Sequence, residues 1–504
     1  MINLQLLAFV LYLSLMLGIG LFFFVKANKA KGDGDKEYFL GGRQMGPYVT
    51  AMSAQASDMS GWLLMGFPGG ILAFGFGQVW IGIGLMLGTI ANWIFVAQRL
   101  RRFSAAANDS ITLPQYLSNR FATKNPVLQI ICAIIFLVFF TVYVASSFNA
   151  GAQVLLDVVP QLQGNMSVAV LIFAVIIIIY TFFGGFKAVC WTDFFQGLMM
   201  LVAIMAVPIV LLATKNLDTS VLSTTIGEYE FATTPFSVKW QDIASGLAWG
   251  LGYFGMPHIL VRFMSIKKPS MIKKSATVAI IWVILSLGAA IVIGIVGRMI
   301  IEPEFLLEGK QENIFIYLVN MVFDNGVLTF IAGILLSAIV AAAMSTADSQ
   351  LLVASSSFTS DIYKPVFRKN ASDKEVLWVG RIVVLIVAVV AYFIASSTSE
   401  GASSIMDMVG NAWGGFGSAF GGVILLSLFW KRFTYKGAIA GVVVGAVVDV
   451  VWLVFLTAPT GVYELLPGFF AGLIAAVIAT LLDKKPSEEV IKIYETATDK
   501  SLDE

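Results

Sequence analysis

One acidic residue lies in the middle of a long apolar segment near the start of the chain. Asp58 falls within residues 48–75, YVTAMSAQASDMSGWLLMGFPGGILAFG, between Ser57 and Ser60. A carboxylate inside the hydrocarbon of a bilayer is costly and usually has a function, such as binding an ion. The other interpretation is a kinked packing helix with one polar contact.

Residues that disfavour a continuous helix follow this acid closely: Gly61, Gly66, Pro68, Gly69 and Gly70. An interrupted membrane helix leaves backbone carbonyl and amide groups free at the break. Such groups can hold an ion and a solute near the middle of the bilayer. The clustering therefore predicts a broken helix with an ion or solute site beside Asp58.

A second apolar segment, QDIASGLAWGLGYFGMPHILVR at 241–262, has similar features. It contains four glycines and a proline around two aromatic residues: Gly246, Gly250, Gly252, Gly255, Pro257, Trp249 and Tyr253. One glycine in a membrane helix would mean little, because glycine is common there. The combination predicts a second broken helix.

A third polar run interrupts an apolar segment at Ser345, Thr346, Asp348 and Ser349. Hydroxyl and carboxylate oxygens suit hard cations such as sodium rather than transition metals. Asp193, which follows Trp191 and Thr192, is another acid close to these polar segments.

The composition is that of an integral membrane protein. The chain is 58% hydrophobic and 12% charged, whereas a soluble protein carries about a quarter charged residues. The net charge of +1 gives no indication of nucleic-acid binding. His258 is the only histidine, which excludes a histidine metal cluster, and two isolated cysteines give no disulfide framework.

A membrane-spanning helix needs about 20 apolar residues. Thirteen segments satisfy this, numbered here as spans 1 to 13 in chain order: 3–25, 47–75, 78–98, 127–157, 166–186, 191–214, 241–261, 276–301, 328–358, 379–397, 405–429, 437–457 and 465–482.

The basic residues predict the orientation of these spans. With the N-terminus outside, 28 of the 32 Lys and Arg lie on the cytoplasmic side. The other four, Lys215, Lys239, Arg298 and Lys310, lie outside. Cytoplasmic loops are rich in Lys and Arg, so this bias predicts thirteen spans with the N-terminus outside and the C-terminus inside.

The two predicted breaks fall in spans 2 and 7, which are five spans apart and so cross in opposite directions. Paired breaks in two halves are typical of transporters built from inverted repeats. We therefore predict repeats at about 47–214 and 241–429, within a membrane domain of residues 1–482. Spans 1, 12 and 13 (3–25, 437–457 and 465–482) lie outside the repeats, and 483–504 form a short cytoplasmic tail.

The chain resembles the sodium/solute symporter family, and within it the branch that transports proline. The resemblance covers Tyr38 to the last span. It rests on these motifs: YFLGGRQMGP (38–47), SAQASDMSGWLLMG (53–66), YTFFGGFKA (180–188), WGLGYFGMPHILVRF (249–263), LLSAIVAAAMST (335–346) and KRFTYKGAIAGVVVGAV (431–447).

The resemblance implies a leucine-transporter-type fold and sodium-coupled uptake of L-proline by alternating access. The expected partners are proline, sodium (Na+) and the lipid bilayer, with no nucleic acid and no obligate protein partner. The resemblance also implies a multi-pass protein of the bacterial inner membrane and a transporter rather than an enzyme.

The family's site residues carry over to matching positions here. The sodium ligands would be backbone oxygens of Ala56, Met59 and Ala342 and hydroxyls of Ser345 and Thr346, with Asp58 needed for high sodium affinity. The substrate would lie near Ser60, Gly61, Tyr143, Trp249, Tyr253 and Pro257. Arg43 is implied to matter for the transport cycle.

The resemblance leaves the number of sodium ions open. Some members have a second sodium site near the counterparts of Asp193, Ser345 and Ser349. Asp348 stands where the proline branch implies a small or hydroxyl residue. It would strengthen such a site or pair with another group.

Other functions remain open at this point. The solute could be another small carboxylate or a sugar, and the coupled ion could be a proton. From a different class, a transporter-like bundle can be a membrane sensor, although the tail is too short for a kinase domain. A channel is a third option, but the sequence shows no repeated pore loop that would favour it.

Overall fold

The computed structural model describes residues 3–29, 34–183, 185–397 and 404–499. Within these ranges the chain is helical, and its β contacts are three isolated bridges. Lys31, Lys500 and Gly184, which the charge count and one motif include, lie outside the described residues, as do the last residues of the tail.

The α-helices run over Leu4–Lys29, Gly34–Leu40, Pro47–Asp58, Phe67–Phe74, Val79–Ala91, Gln98–Ala106, Leu113–Arg120, Val127–Val158, Met166–Phe183, Phe186–Thr214, Trp240–Gly252, Pro257–Ser265, Ile272–Arg298, Pro303–Leu307, Ile314–Val322, Val327–Ser357, Asp373–Ser397, Ile405–Phe416, Gly422–Phe429, Tyr435–Phe455, Thr457–Thr460, Leu465–Leu482 and Glu488–Thr498. Four π-helical segments join some of them: Trp62–Gly66, Asn92–Ala97, Phe358–Phe367 and Gly417–Gly421.

Ten helices of the described chain are long and apolar enough to cross a membrane. They occupy predicted spans 1, 3, 4, 6 and 8 to 13. Span 5 is the 18-residue helix Met166–Phe183, and spans 2 and 7 are interrupted. The prediction of an all-α, multi-pass membrane protein is confirmed.

Several helices are longer than their apolar segments. Span 3 continues as helix to Ala106 rather than ending near residue 98, and span 6 begins at Phe186 rather than at 191. Hydropathy marks only the part of a helix that suits hydrocarbon. The backbone hydrogen bonds continue beyond it into the polar interface, where Arg99 and Lys187 are accommodated.

Span 2 is broken where the sequence predicts. Its first helix, Pro47–Asp58, ends at Met59, whose φ of −85° and ψ of 79° are not helical. Helical structure resumes as the π-helix Trp62–Gly66. The glycines after Asp58 therefore mark a real interruption.

Span 7 is broken as well. The helix Trp240–Gly252 ends in a turn, and a new helix begins at Pro257. Proline is favoured in the first turn of a helix, because its missing N–H would have no partner there. Span 9, in contrast, is an unbroken helix over Val327–Ser357 and is buried almost throughout from Leu335 onwards.

The packing of the spans is symmetric. Spans 4 and 9 pack against each other. Span 6 packs on span 9 as span 11 packs on span 4, and span 3 packs on span 7 as span 8 packs on span 2. Each of spans 2 to 6 therefore corresponds to the span five further on, and replacing every span by its counterpart gives the same set of contacting pairs. Spans 12 and 13 pack together beside span 11, and span 1 lies against spans 6 and 9.

Spans 3 and 7 meet through glycines. Gly84 and Gly88 on span 3 are four residues apart, as are Gly246 and Gly250 on span 7. A Cβ added at Gly250 would lie 2.3 Å from the carbonyl oxygen of Gly84, and one at Gly88 would lie 2.3 Å from that of Gly250. Glycines spaced in this way let membrane helices approach until their backbones touch.

We expect Gly250→Ala to lower the thermal unfolding temperature of the detergent-purified protein by several degrees, because the added methyl group would collide with the backbone of span 3. Overpacking of this kind costs about 1–3 kcal/mol. The matched control is Gly288→Ala on span 8, where an added Cβ meets nothing within 4 Å. Equal unfolding temperatures for both variants would contradict the close backbone contact.

Candidate ion and solute site

Asp58 is buried at the break of span 2, with 1% of its surface exposed. The hydroxyl of Tyr253, at the break of span 7, donates to its Oδ2 at 2.7 Å. Its Oδ1 is buried and accepts no hydrogen bond from the residues that the structure describes. The indole of Trp62 and the hydroxyl of Tyr143 both donate to its backbone carbonyl, at 3.2 and 3.4 Å. The carboxylate thus joins both breaks and keeps one oxygen free.

Span 9 brings hydroxyl groups to the same break. Ser345 Oγ lies 2.7 Å from the carbonyl oxygen of Ala56 on span 2 and 3.1 Å from that of Ala342. The hydroxyl of Thr346 is buried and has no partner among the described residues. Three of the predicted sodium ligands therefore converge, and the oxygen of a fourth is available.

The segment just after Asp58 leaves room for a neighbouring helix. The amide of Ser60 donates to the carbonyl of Asp58 at 3.1 Å. A Cβ added at Gly61 would lie 2.4 Å from the Cβ of Ala150 on span 4. Glycine is thus the residue that allows span 4 to approach the break closely.

Aromatic residues surround the break of span 7. The ring of Trp249 stacks on Tyr463 with centroids 5.2 Å apart, and Tyr253 meets Trp413 edge-on at 5.0 Å. Trp413 Nε1 donates to the carbonyl of Trp249 at 2.8 Å, and the amide of Asn92 donates to that of Tyr253 at 3.0 Å. These donors bind carbonyl groups that the broken helix leaves without helical partners.

Sequence analysis gave no role to Asn92, Trp413 or Tyr463. They lie on spans 3 and 11 and just before span 13, far in sequence from the breaks that they support. Pro257, predicted near the substrate, is buried at the start of the second helix of span 7.

A second polar cluster lies around Asp193. Ser53 Oγ donates to Asp193 Oδ2 at 2.6 Å, and Arg262 forms an ion pair with the same oxygen at 3.3 Å. The guanidinium of Arg262 also donates to Ser349 Oγ and to the carbonyl of His258. One arginine therefore connects spans 2, 6, 7 and 9.

The charge count above treats Arg262 as a cytoplasmic loop residue, but the side chain is 0% exposed. The helix that carries it begins only at Pro257. Arg262 is therefore about 7.5 Å along the helix from the break, at 1.5 Å per residue, and has not left the protein interior. The short spacing from Pro257 is the sequence signal that could have revealed this.

Asp348 is a buried acid beside this cluster. Neither of its carboxylate oxygens has a hydrogen-bond partner of ordinary geometry among the described residues, and Oδ1 of Asp193 also has none. The adjacent Ser349 hydroxyl accepts a hydrogen bond from Arg262. The cluster thus contains two carboxylates and one guanidinium.

Arg43 connects the neighbouring ends of spans 2, 3 and 7. Its guanidinium donates to the carbonyls of Met264 and Ser110, at 2.6 and 2.7 Å, and to Ser104 Oγ at 3.0 Å. Its Nε lies 2.7 Å from Asp109 Oδ1. Burial lowers the pKa of Arg43 to about 10, so the side chain is cationic at neutral pH.

The sequence is similar to those of known transporters. The profile of the sodium:solute symporter family matches residues 38–445. The sodium/proline symporter of Haemophilus influenzae is 41% identical over 98% of this chain and 97% of its own. The high-affinity proline transporter PutP of Bacillus subtilis is 42% identical over 90% of this chain and 94% of its own.

Solved structures share the fold. A sodium-coupled sialic acid symporter, substrate-bound and outward-open, superposes with a TM-score of 0.74 at 19% identity, covering 96% of this chain and 99% of its own. MhsT in complex with L-phenylalanine superposes with a TM-score of 0.55 at 14% identity, covering 86% and 97%.

The family profile covers most of the chain, and the two relatives align with nearly all of it. The chain therefore belongs to the sodium:solute symporter family.

Proposed function

We propose that this protein is a secondary active transporter that couples the uptake of L-proline to sodium by alternating access. The observation that carries the proposal is the meeting of two broken helices and a hydroxyl-bearing helix around Asp58. The relatives named as proline symporters supply the solute.

The sodium ion binds between spans 2 and 9. Its ligands are the carbonyl oxygens of Ala56, Met59 and Ala342 and the hydroxyl oxygens of Ser345 and Thr346. The Ser345 hydroxyl already lies within 3.1 Å of two of these carbonyls. A cation at this point replaces hydroxyl–carbonyl hydrogen bonds with ion–oxygen contacts. The charge of Asp58 attracts the cation and favours its dehydration.

Proline binds beside the sodium, where the two breaks face each other. Proline is a small zwitterion with an apolar ring, so its site needs polar backbone groups for its ends and an apolar wall. Ser60, Gly61 and Pro257 lie at the breaks, and Tyr143, Trp249 and Tyr253 form the wall. An aromatic face also suits the cationic amine.

Coupling follows from shared elements. Span 2 contributes to both sites, so sodium that ties span 2 to span 9 also orders the break that binds proline. The coupling free energy is reciprocal and is typically about 1–3 kcal/mol. Arg43 fastens the inner ends of spans 2, 3 and 7, so its contacts must break before solute leaves to the cytoplasm.

The proposed topology has thirteen crossings, with the N-terminus outside and the C-terminus inside. Spans 2–6 and 7–11 form the two inverted repeats. The symmetric packing pairs described above support this arrangement, as does the bias of Lys and Arg to one side.

A second sodium ion binds at Asp348, Ser349 and Asp193. Arg262 compensates one of the two acids, which leaves one net negative charge buried in the cluster. Buried carboxylates are normally paired or bind metal ions. The unpartnered oxygens of Asp348 and Asp193 fit a cation, and Asp348 gives this chain an additional acidic ligand.

The first prediction concerns transport itself. Purified protein in proteoliposomes should accumulate radiolabelled proline when a sodium gradient is imposed, and accumulation should vanish when the gradient is collapsed. A proton gradient of equal size should not replace sodium. Unlabelled proline should compete better than pantothenate or galactose; stronger competition by either would reassign the solute.

The second prediction concerns the first sodium site. Asp58→Asn and Thr346→Ala should each raise the half-saturating external sodium concentration by about 10- to 100-fold, because a contact to a charged group contributes about 1.5–3 kcal/mol. The control is Ser337→Ala, which removes a hydroxyl of span 9 that bonds within its own helix. An unchanged sodium requirement in both variants would remove these residues from the site.

The third prediction concerns the second sodium site. Asp348→Asn should lower the number of sodium ions moved per proline, because it removes the unpaired charge that the second ion compensates. The measurement is the ratio of sodium to proline flux in voltage-clamped proteoliposomes. A ratio identical to that of the unmodified protein would show that Asp348 holds no transported ion.

A further inference from the structure

The cytoplasmic half of span 9 contains hydroxyl groups that are satisfied within the protein. Ser355 Oγ donates to the carbonyl of Gly380 at 2.9 Å. Ser356 Oγ and Thr359 Oγ1 each donate to a carbonyl of their own helix, also at 2.9 Å. Such bonds to the preceding turn are the usual arrangement for Ser and Thr in a membrane helix.

A second set of polar side chains on the same helix has no such bonds. The hydroxyl of Thr346 and both amide atoms of Gln350 are buried without a partner among the described residues, and the hydroxyl of Ser357 lies beside the carboxylate of Asp361. On an ideal helix these three positions fall within an arc of about 40°, so they form one stripe. Ser360, near its inner end, also has an unpartnered hydroxyl.

Buried polar groups are normally hydrogen-bonded to protein or to ordered water, so a row of exceptions needs an explanation. The row begins at Thr346, a proposed sodium ligand, and continues towards the cytoplasmic end of span 9. Its members offer hydroxyl and amide oxygens, which are the ligand types that hard cations accept.

A buried acid stands where the stripe ends. Asp361 is one turn beyond Ser357, at a helical distance of about 22 Å from Thr346. Its carboxylate accepts from the hydroxyl of Thr112 at 2.9 Å and from the amide of Gln129 at 3.3 Å. Both donors are neutral. In the described part of the chain, no basic side chain forms an ion pair with this acid.

The segment that covers Asp361 is the one that Arg43 holds. Arg43 pairs with Asp109 and donates to the carbonyl of Ser110, and Thr112, two residues further on, donates to Asp361. Residues 109–112 therefore connect the closure of the cytoplasmic side directly to this carboxylate. Release of Arg43 would free the segment and uncover the acid.

We propose that Asp361 is an inner sodium site, to which the ion released near Thr346 passes along the stripe before it reaches the cytoplasm. The proposal rests on the sodium coupling proposed above. In the closed state Thr112 and Gln129 occupy the carboxylate, and once residues 109–112 move, the cation takes the place of these donors. The unpaired negative charge at the end of the stripe favours departure of sodium towards the inside.

The test separates sodium release from the other steps of the cycle. Net uptake of proline into sodium-free proteoliposomes requires sodium to leave on the inside, whereas exchange of proline with saturating sodium on both sides does not. We expect Asp361→Asn to slow net uptake about tenfold, the equivalent of losing one charged contact. Exchange and the external sodium requirement should stay unchanged. Inhibition of net uptake by internal sodium should require higher concentrations.

The matched control is Asp157→Asn. Asp157 also accepts a hydrogen bond from a neutral amide, that of Asn320. It lies at the end of span 4 opposite to Gln129, so Asp157→Asn should change neither net uptake nor its inhibition by internal sodium. Should Asp361→Asn fail to fold, Ser357→Ala serves instead, because it removes the hydroxyl of the stripe that lies beside this carboxylate. It should slow net uptake more than exchange.

Equal effects on net uptake and exchange, or no effect in a folded variant, would overturn the inner site. The proposed function fails differently: exchange by the unmodified protein would then be independent of sodium. The two failures are therefore distinguishable in one set of measurements.

Discussion

The hydrogen bond from Tyr253 to Asp58 joins the two interrupted helices at the point where each loses its own backbone hydrogen bonds. An acid inside the membrane needs a partner, and the nature of that partner decides what the acid can do. The tyrosine is neutral, so its hydroxyl satisfies one carboxyl oxygen and brings no positive charge that would pair with the acid. The remaining oxygen is then available to a cation brought against the Ser345 side of the break.

Asp193 illustrates the opposite choice. Its partner is the guanidinium of Arg262, which cancels the charge and binds three other elements at the same time. That cluster is therefore a structural junction of spans 2, 6, 7 and 9 as well as a candidate second ion site, and Asp348 adds a second buried carboxyl group to it. At one end of spans 2, 3 and 7, Arg43 forms a comparable junction with two carbonyl groups, a hydroxyl and a carboxylate.

Sequence alone predicts a good part of this architecture. The acid at position 58, the glycines and prolines of the breaks and the long apolar runs are local signals, and each has a physical cost in a bilayer that makes it informative. The support of the broken span 7 by Asn92 and Trp413 and the contacts of Arg43 are different. They depend on which spans are neighbours in space, and nothing in the local sequence of either partner carries that information.

The facing glycines of spans 3 and 7 have a mechanical consequence. Backbones in direct contact interlock, and neither helix can slide or rotate against the other without collision of carbonyl groups. We therefore expect the helix Trp240–Gly252 of span 7 and span 3 to move together in any rearrangement that keeps this contact. Any bending of span 7 then has to occur beyond this contact, and the turn between Gly252 and Pro257 is the interruption of the helix that lies there.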